Sequence, residues 1–470
     1  MLISKPTLLN DVSSAESLLV SNPRLWNWRK DHLNETVAPA TYYEASLAPW
    51  NRFDPLQADT QCDVLVVGGG LLGASTALHL ARSGLDVVLV EKDSIGSAAS
   101  GRNGGQLTPG LARWEAADMI AHLPLDEARR LWRFASHEAM DLLDQIAQDY
   151  ELDFDRRRGH LTAAVHAGHM GALVEGADAR RYLGDTSVEI VGSYELEQEI
   201  RSPLYHGAVV DTLGGQLHPL ALLRGLVYGL VQHDGRVYEG SPVQEIEQTE
   251  NGALAITPGG TILARQALVL AVHDTTSQFL PTQSNTTVPF YTYVGVTEPL
   301  ECPVSELLPT DRAVYDTQFQ IDYYRAVRQN RLLFGGQGTG TSWSPERIND
   351  YLLDRIQTVF PQLEQVQLDF SWSGISDFTL NGATDSRKTE DAVPVYMVHG
   401  WSGHGVAQTV RIGKAISDDV TGRNEDFAML TDITHRSIPL GHQLSGLAIP
   451  MVKAAIGMMS AVNPGRLVSF

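Results

Sequence analysis

Residues 62–91 constrain this chain more than any other stretch. CDVLVVGGG is an apolar, β-branched run that stops at glycines, as a buried strand does before a turn. ASTALHLARSG then has helical periodicity and closes at Gly84. LDVVLVEK is a second buried strand, ending at Glu91. Strand, helix and strand in this order form a βαβ unit, the opening of a doubly wound sheet. Between strand and helix lies Gly68-Gly69-Gly70-Leu71-Leu72-Gly73, a GxGxxG pattern. Gly68 permits a tight turn, Gly70 lets the backbone approach a pyrophosphate, and Gly73 lets helix and strand pack closely. The helix N-terminus offers free N–H groups to phosphates. Glu91 follows Gly73 by 18 residues. A carboxylate there accepts hydrogen bonds from both ribose hydroxyls and repels a 2′-phosphate. The combination predicts a dinucleotide site.

Two further glycine-rich segments suit the same ligand. Ser97-Ala98-Ala99-Ser100-Gly101-Arg102-Asn103-Gly104-Gly105-Gln106 follows the acid closely. Its small residues let the chain lie flat against a large planar group, with Arg102, Asn103 and Gln106 as polar contacts. Gly400-Trp401-Ser402-Gly403-His404-Gly405-Val406 leads into a helix from Gly403. A helix N-terminus aimed at that group would stabilise negative charge developing on it.

Length and composition bound the rest. A chain of 470 residues is long enough for two packed domains, and 43% hydrophobic content supports a large core. The net charge of −21 argues against nucleic acid and anionic lipid as partners and is compatible with a cationic substrate. Cys62 and Cys302 sit in no CxxC or Cys/His pattern, so neither a metal site nor disulfide dependence is expected, and a reducing, cytoplasmic location fits. The N-terminus has no basic region followed by an apolar run, so no secretory signal is expected. No run of eighteen apolar residues occurs, so no membrane span is expected. LAIPMVKAAIGMMSAV near the C-terminus is interrupted by Pro450 and Lys453 and reads as a packed helix too short to span, with membrane-surface docking as the alternative. In the first 40 residues, SSAESLLV reads as a helix, and Trp26 and Trp28 suggest packing. Residues 41–60 read as extended and 114–149 as helical; residues 286–375 alternate like an antiparallel sheet covering a ligand.

YYEAS, FDPL, CDVLVVGGG, SGRNGGQL, GGQLHPL, HDGRVYEGSPV, DYYRAVRQNRLLFGG, FPQL and YMVHGWSGHGV together resemble the D-amino-acid-oxidase-like FAD-dependent amine oxidoreductases. Within that superfamily the likeness is greatest to bacterial γ-glutamylputrescine oxidases, from about Tyr42 to near the C-terminus. The resemblance implies an α/β fold, α+β overall, with a Rossmann-type FAD-binding domain interleaved with an antiparallel-sheet substrate domain. The expected division is an extension (1–40), FAD-domain segments (41–150, 211–280, 376–430), substrate-domain segments (151–210, 281–375) and a C-terminal helical segment (431–470). Expected FAD contacts are Gly68, Gly70, Leu72, Gly73, Glu91, Lys92, Ser100, Arg102, Asn103, Gly104, Gly105, Gln106, Gly403, His404, Gly405 and Val406. Val243 is similar in position to a residue whose backbone meets adenine. No cysteine stands in an attachment context, so FAD is expected to bind non-covalently.

On the substrate side the expected catalytic residues are Tyr324, Arg325 and His404. Tyr323 and Tyr324 face opposite sides of a strand, so one at most points at ligand, and Tyr324 is the choice. His218 and Trp372 read as structural. Many amino-acid oxidases of this superfamily clamp the substrate carboxylate with an arginine after a WxGL stretch. Trp372-Ser373-Gly374-Ile375-Ser376 has none, which argues against a simple α-amino acid substrate. Asn381–Lys388 is about two residues longer than the matching segment of relatives, so that edge of the site is expected to differ. The implied activity is oxidation of a small-molecule amine with O₂ or another carrier as acceptor. A dehydrogenase, a flavin monooxygenase and a non-catalytic flavoprotein module are the competing readings, and the oligomeric state is left open.

Overall fold

The computed structural model describes residues 3–10, 12, 19–21, 37–39, 41–280 and 285–467. The apolar run Thr60–Val67 is the centre of an eight-stranded mixed sheet. It pairs in parallel with Val87–Val90 on one side and Gly260–Leu270 on the other. Val87–Val90 continues in parallel to Arg236–Tyr238. Gly260–Leu270 also pairs in parallel with Val395–His399, which pairs antiparallel with Asp385–Lys388. Leu65, Val66, Val88 and Leu89 have no exposed surface, as expected of strands covered on both faces. The helix Leu71–Arg82 is buried along eleven of its residues, between the helices Pro219–Gln232 and Val406–Val420.

A nine-stranded sheet forms the second layer. Its order runs Leu368–Thr379, Thr287–Thr297, Arg331–Thr339, Tyr323–Val327, Ala313–Asp316, Arg157–Ala163, Ala208–Gln216 and Gln106–Leu107, with Val188–Val191 beside Ala208–Gln216. It has its own core around Tyr293, Tyr324, Phe334 and Phe360. The expected boundary at 210–211 falls inside Ala208–Gln216, which lies wholly in this sheet. That strand runs on through Leu217 into a buried helix with no exposed residue between Leu213 and Leu220, so no exposed linker marks the crossover.

Several local expectations are corrected. Tyr42–Ala45 forms a helical turn where extended chain was expected, because Thr41 and Glu44 make a reciprocal capping box. The helix expected from Gly403 begins at Val406, because Gly403 adopts φ +81° and Gly405 is the cap. Leu19 and Val20, the end of the expected SSAESLLV helix, lie in the strand Leu19–Ser21, paired with Val37–Pro39. Residues 13–18, Trp26 and Trp28 lie outside the described residues.

The C-terminal helix is longer than expected. Gly441–Val462 spans 22 residues with Pro450 inside it and is long and apolar enough, by length and composition, to cross a membrane. It packs on the strand Thr287–Thr297, burying His442, Ser445, Ile449 and Ile456. Leu447, Met451, Met458 and Val462 on its other side are exposed.

Candidate active site

A cavity of about 720 Å³ runs between the two sheets, from the glycine turn to the C-terminal helix. At its first end Gly68 adopts φ +109°, and a Cβ there would lie 2.4 Å from the Ala271 carbonyl oxygen. A Cβ at Gly73 would lie 2.0 Å from the Gly68 carbonyl oxygen, so helix and turn touch backbone to backbone. Gly73 therefore stands behind the turn, while Gly68, Gly70 and Leu72 line the cavity. The Glu91 carboxylate accepts from the Gly69 N–H at 2.7 Å and the Asp93 N–H at 3.0 Å. Burial raises its pKa against those bonds. Lys92, Ser100 and Val243 line the same end. Ser100 Oγ accepts from the Leu71 N–H at 3.0 Å, capping the first turn of the helix.

The middle of the cavity is built by residues 102–106. Asn103 folds back: its Nδ2 donates to the carbonyls of Ala99 and Ser100, and its Oδ1 accepts from the Gly105 N–H. Arg102 lines the cavity while its Nε donates to the Ser373 carbonyl, and Trp372 Nε1 donates to the Arg102 carbonyl. Gly104 lies against the ring of Tyr323, where a Cβ would approach Cε2 to 2.6 Å. Gly105 takes φ +70° against the Leu217 carbonyl. Gln106 donates to the Val314 carbonyl and accepts from His160 Nε2 at 3.0 Å.

Two of the three expected catalytic residues are elsewhere. Tyr324 is fully buried, stacked on Phe334 with centroids 5.3 Å apart, and its hydroxyl donates to Tyr205. Tyr323 lines the cavity instead. Strand alternation was the right rule, but the face depends on register, and Tyr323 is opposite Gly335, which leaves room for its ring. Arg325 is buried and turns inward. Its Nε donates to the Gly104 carbonyl at 2.8 Å, and its Nη2 to the Leu217 carbonyl at 3.0 Å and the Tyr43 hydroxyl at 3.2 Å. It braces the 104–105 turn from behind.

His404 does line the cavity, with Gly403, Gly405 and Val406. The turn is held by Asp377, whose carboxylate accepts from the N–H groups of Gly400 and Trp401. Nδ1 of His404 donates to the Ser402 carbonyl at 3.3 Å, and the ring meets Tyr315 edge-on at 5.9 Å. Burial, and then the charge of Arg113, push its pKa down to about 3. It is a neutral imidazole with Nε2 free to accept.

Sequence reasoning missed Arg113, Tyr315, Phe290, Phe378, Gln337 and Lys453, all of which line the cavity. No spacing rule marks the first five. Lys453 carried a signal, as a lone cation in a long apolar segment, but it was read only as an interruption. Within the 381–388 segment, Gly382 reaches the cavity, whereas Asp385 is turned to Arg387 and His399. His218 is structural, as expected: its Nδ1 accepts from the Ala221 N–H and caps the helix after it.

The cradle fits a dinucleotide: backbone approaches a Cβ would block, a carboxylate at the second strand's end, and a cavity continuing to the other sheet. A model of the FAD dependent oxidoreductase (DAO) family matches residues 63–418. The chain is an FAD-dependent oxidoreductase of this family. It is 33% identical over 411 residues to the gamma-glutamylputrescine oxidoreductase of Escherichia coli K12, covering 87% of this chain and 95% of that protein. It is 30% identical over 423 residues to a probable oxidoreductase of Haemophilus influenzae, covering 87% and 94%. Among solved structures, glycine oxidase from Geobacillus kaustophilus shares the fold at TM-score 0.67 and 22% identity, over 80% of this chain and 99% of that one.

Proposed function

We propose that this oxidoreductase oxidises the C–N bond of an amine, a γ-glutamylated polyamine such as γ-glutamylputrescine, and passes the electrons to O₂. One observation carries the reading. Where amino-acid oxidases of the superfamily place a carboxylate-binding arginine, the cavity wall here is Gly374, Ile375 and Ser376. The remaining walls of that end include Phe290, Phe378 and Leu380. Such a chamber suits an unbranched amine better than an α-amino acid. The likeness to the gamma-glutamylputrescine oxidoreductase supports the same choice.

FAD would be held at the Gly68–Gly73 turn, Glu91 and the 102–106 and 403–406 segments, and when bound it accepts the two electrons of the oxidised C–N bond. The chain's own residues position and polarise. His404, neutral at physiological pH, offers an acceptor rather than a base. The ammonium proton is therefore left to solvent as the substrate enters the apolar chamber lined in part by Phe290 and Phe378, where desolvation disfavours the charged form. The guanidinium of Arg113 has no hydrogen-bond or ion-pair partner among the described residues and lies near His404 and Tyr315. It supplies positive potential for negative charge that develops there. FAD is bound without a covalent link in this reading, and neither Cys62 nor Cys302 lines the cavity to offer a thiol for one. Acid precipitation should release the yellow colour into the supernatant.

The exposed apolar side of the C-terminal helix favours a second reading, a dehydrogenase that hands electrons to a membrane-associated carrier. An oxygen electrode separates the two. Oxygen uptake with aldehyde formation from γ-glutamylputrescine supports the oxidase. Aldehyde formed only with an added quinone supports the dehydrogenase, and no aldehyde with either overturns both.

A further inference from the structure

Lys453 lies in the wall of the main cavity and also in that of an adjoining cavity of about 470 Å³. Phe319 and Gln320 are shared in the same way, so the two spaces meet at these side chains. The ammonium of Lys453 donates to Gln337 Oε1 and, at 2.9 Å, to the Gly338 carbonyl. Both acceptors are neutral. An ammonium has three N–H donors, so one is left for a ligand. No carboxylate lies within ion-pair distance of it among the described residues, on a chain whose net charge is −21.

A charge that acts on it is another cation's. Arg347, with its guanidinium 4.1 Å over the Trp343 ring, also has no ion-pair partner among the described residues. Burial and Arg347 together pull the Lys453 pKa down to about 8, still high enough for a charge at neutral pH. A half-buried cation with neutral partners and a like charge nearby is unfavourable in the free protein. An anionic ligand would reverse that. The apolar walls on the way to it, Phe290, Phe378, Ile449 and Val452, suit a chain of methylenes.

We infer that Lys453, on the C-terminal helix, is the anchor of an anion subsite that holds the carboxylate-bearing end of the substrate. The amine end then lies toward the glycine-rich segments. This rests on the amine-oxidase reading and narrows its substrate class to chains with an amine at one end and a carboxylate at the other. The subsite replaces the strand-borne arginine with a cation from a different element, placed to reach a remote carboxylate.

The test uses the FAD-loaded enzyme and a ligand that lacks the amine the proposal has oxidised. N-butyl-γ-glutamine keeps the glutamyl head and the methylenes but lacks the terminal amine; N-butylacetamide lacks the head as well. Calorimetric titration should show N-butyl-γ-glutamine binding weakened about tenfold or more in Lys453→Met. Lys453→Arg should restore most of it, and N-butylacetamide should bind all three proteins alike. Equal binding of N-butyl-γ-glutamine to wild type and Lys453→Met, or none to wild type, overturns the subsite. Because no turnover is read, failure here is distinct from failure of amine oxidation. If γ-glutamylputrescine is turned over, its KM should rise in Lys453→Met with kcat little changed.

Discussion

The two ends of the cavity differ in how they are made. The dinucleotide end is built mainly on one stretch of about thirty residues, Cys62–Glu91, in which strand, turn, helix and acid succeed one another. The substrate end is assembled from distant segments: Phe290, Tyr315, Tyr323, Gln337, Phe378 and Lys453 come from five strands and one helix. Local spacing dictates the first, and tertiary register dictates the second. The first end should therefore fail abruptly when a backbone approach is blocked. The second should respond in graded, ligand-dependent ways.

The largest expected effect is at the glycine turn. Gly73→Val would place side-chain carbons where Gly68 carbonyl oxygen already lies 2.0 Å from an ideal Cβ. The variant should purify colourless, read as the ratio of visible to ultraviolet absorbance. A yellow Gly73→Val with normal FAD content would break the contrast between the two ends.

Arg325→Met comes next. It removes donors from the Gly104 and Leu217 carbonyls in a buried setting, and a loss of about 2–3 kcal/mol is expected. A fall in the thermal midpoint with little change in KM marks a brace; a selective rise in KM would restore Arg325 to the substrate side.

The tyrosine pair sharpens the comparison within one strand. Tyr324→Phe loses a buried bond to Tyr205, about 1 kcal/mol of stability, and should leave kcat/KM alone. Tyr323→Phe removes a hydroxyl that lies in the cavity 3.5 Å from Thr292 Oγ1, and should change kcat/KM with little effect on stability. The reverse pattern in steady-state kinetics and melting would show that the register is misread.

Those residues show how far sequence carried. The doubly wound sheet, its glycine turn, Glu91 and the 400–406 turn were legible because each is defined by neighbours in the chain. The choice between Tyr323 and Tyr324 was not, because alternation gives two faces and only the pairing with Arg331–Thr339 says which one meets the cavity. Arg325 looked like a functional cation, since charge pattern cannot reveal that its partners are carbonyls at residues 104 and 217. Lys453 was visible but unassigned, because nothing local places the C-terminal helix against Thr287–Thr297.

At neutral pH the smallest expected effect is that of the buried histidines, which shows only on acidification. Burial pushes the pKa of His160 to about 3 and that of His79 to about 4, both below the ordinary value near 6.5. The unfolded chain then binds protons that the folded one does not. Stability from these groups is present above pH about 6.5 and is lost as pH falls toward 4 and 3. The thermal midpoint should decline over that window, and His160→Gln should make the decline shallower. An unchanged slope would mean that other groups govern acid unfolding.

Anaerobic mixing of the FAD-loaded enzyme with γ-glutamylputrescine, putrescine, sarcosine and D-alanine tests the central claim most directly, because it joins the two ends of the cavity in one observation. The visible flavin band is followed, and air is then admitted. The expected result is bleaching that is fastest with γ-glutamylputrescine and recovers in air. An FAD-loaded enzyme whose flavin stays oxidised with every amine, or is bleached fastest by D-alanine, would contradict the account.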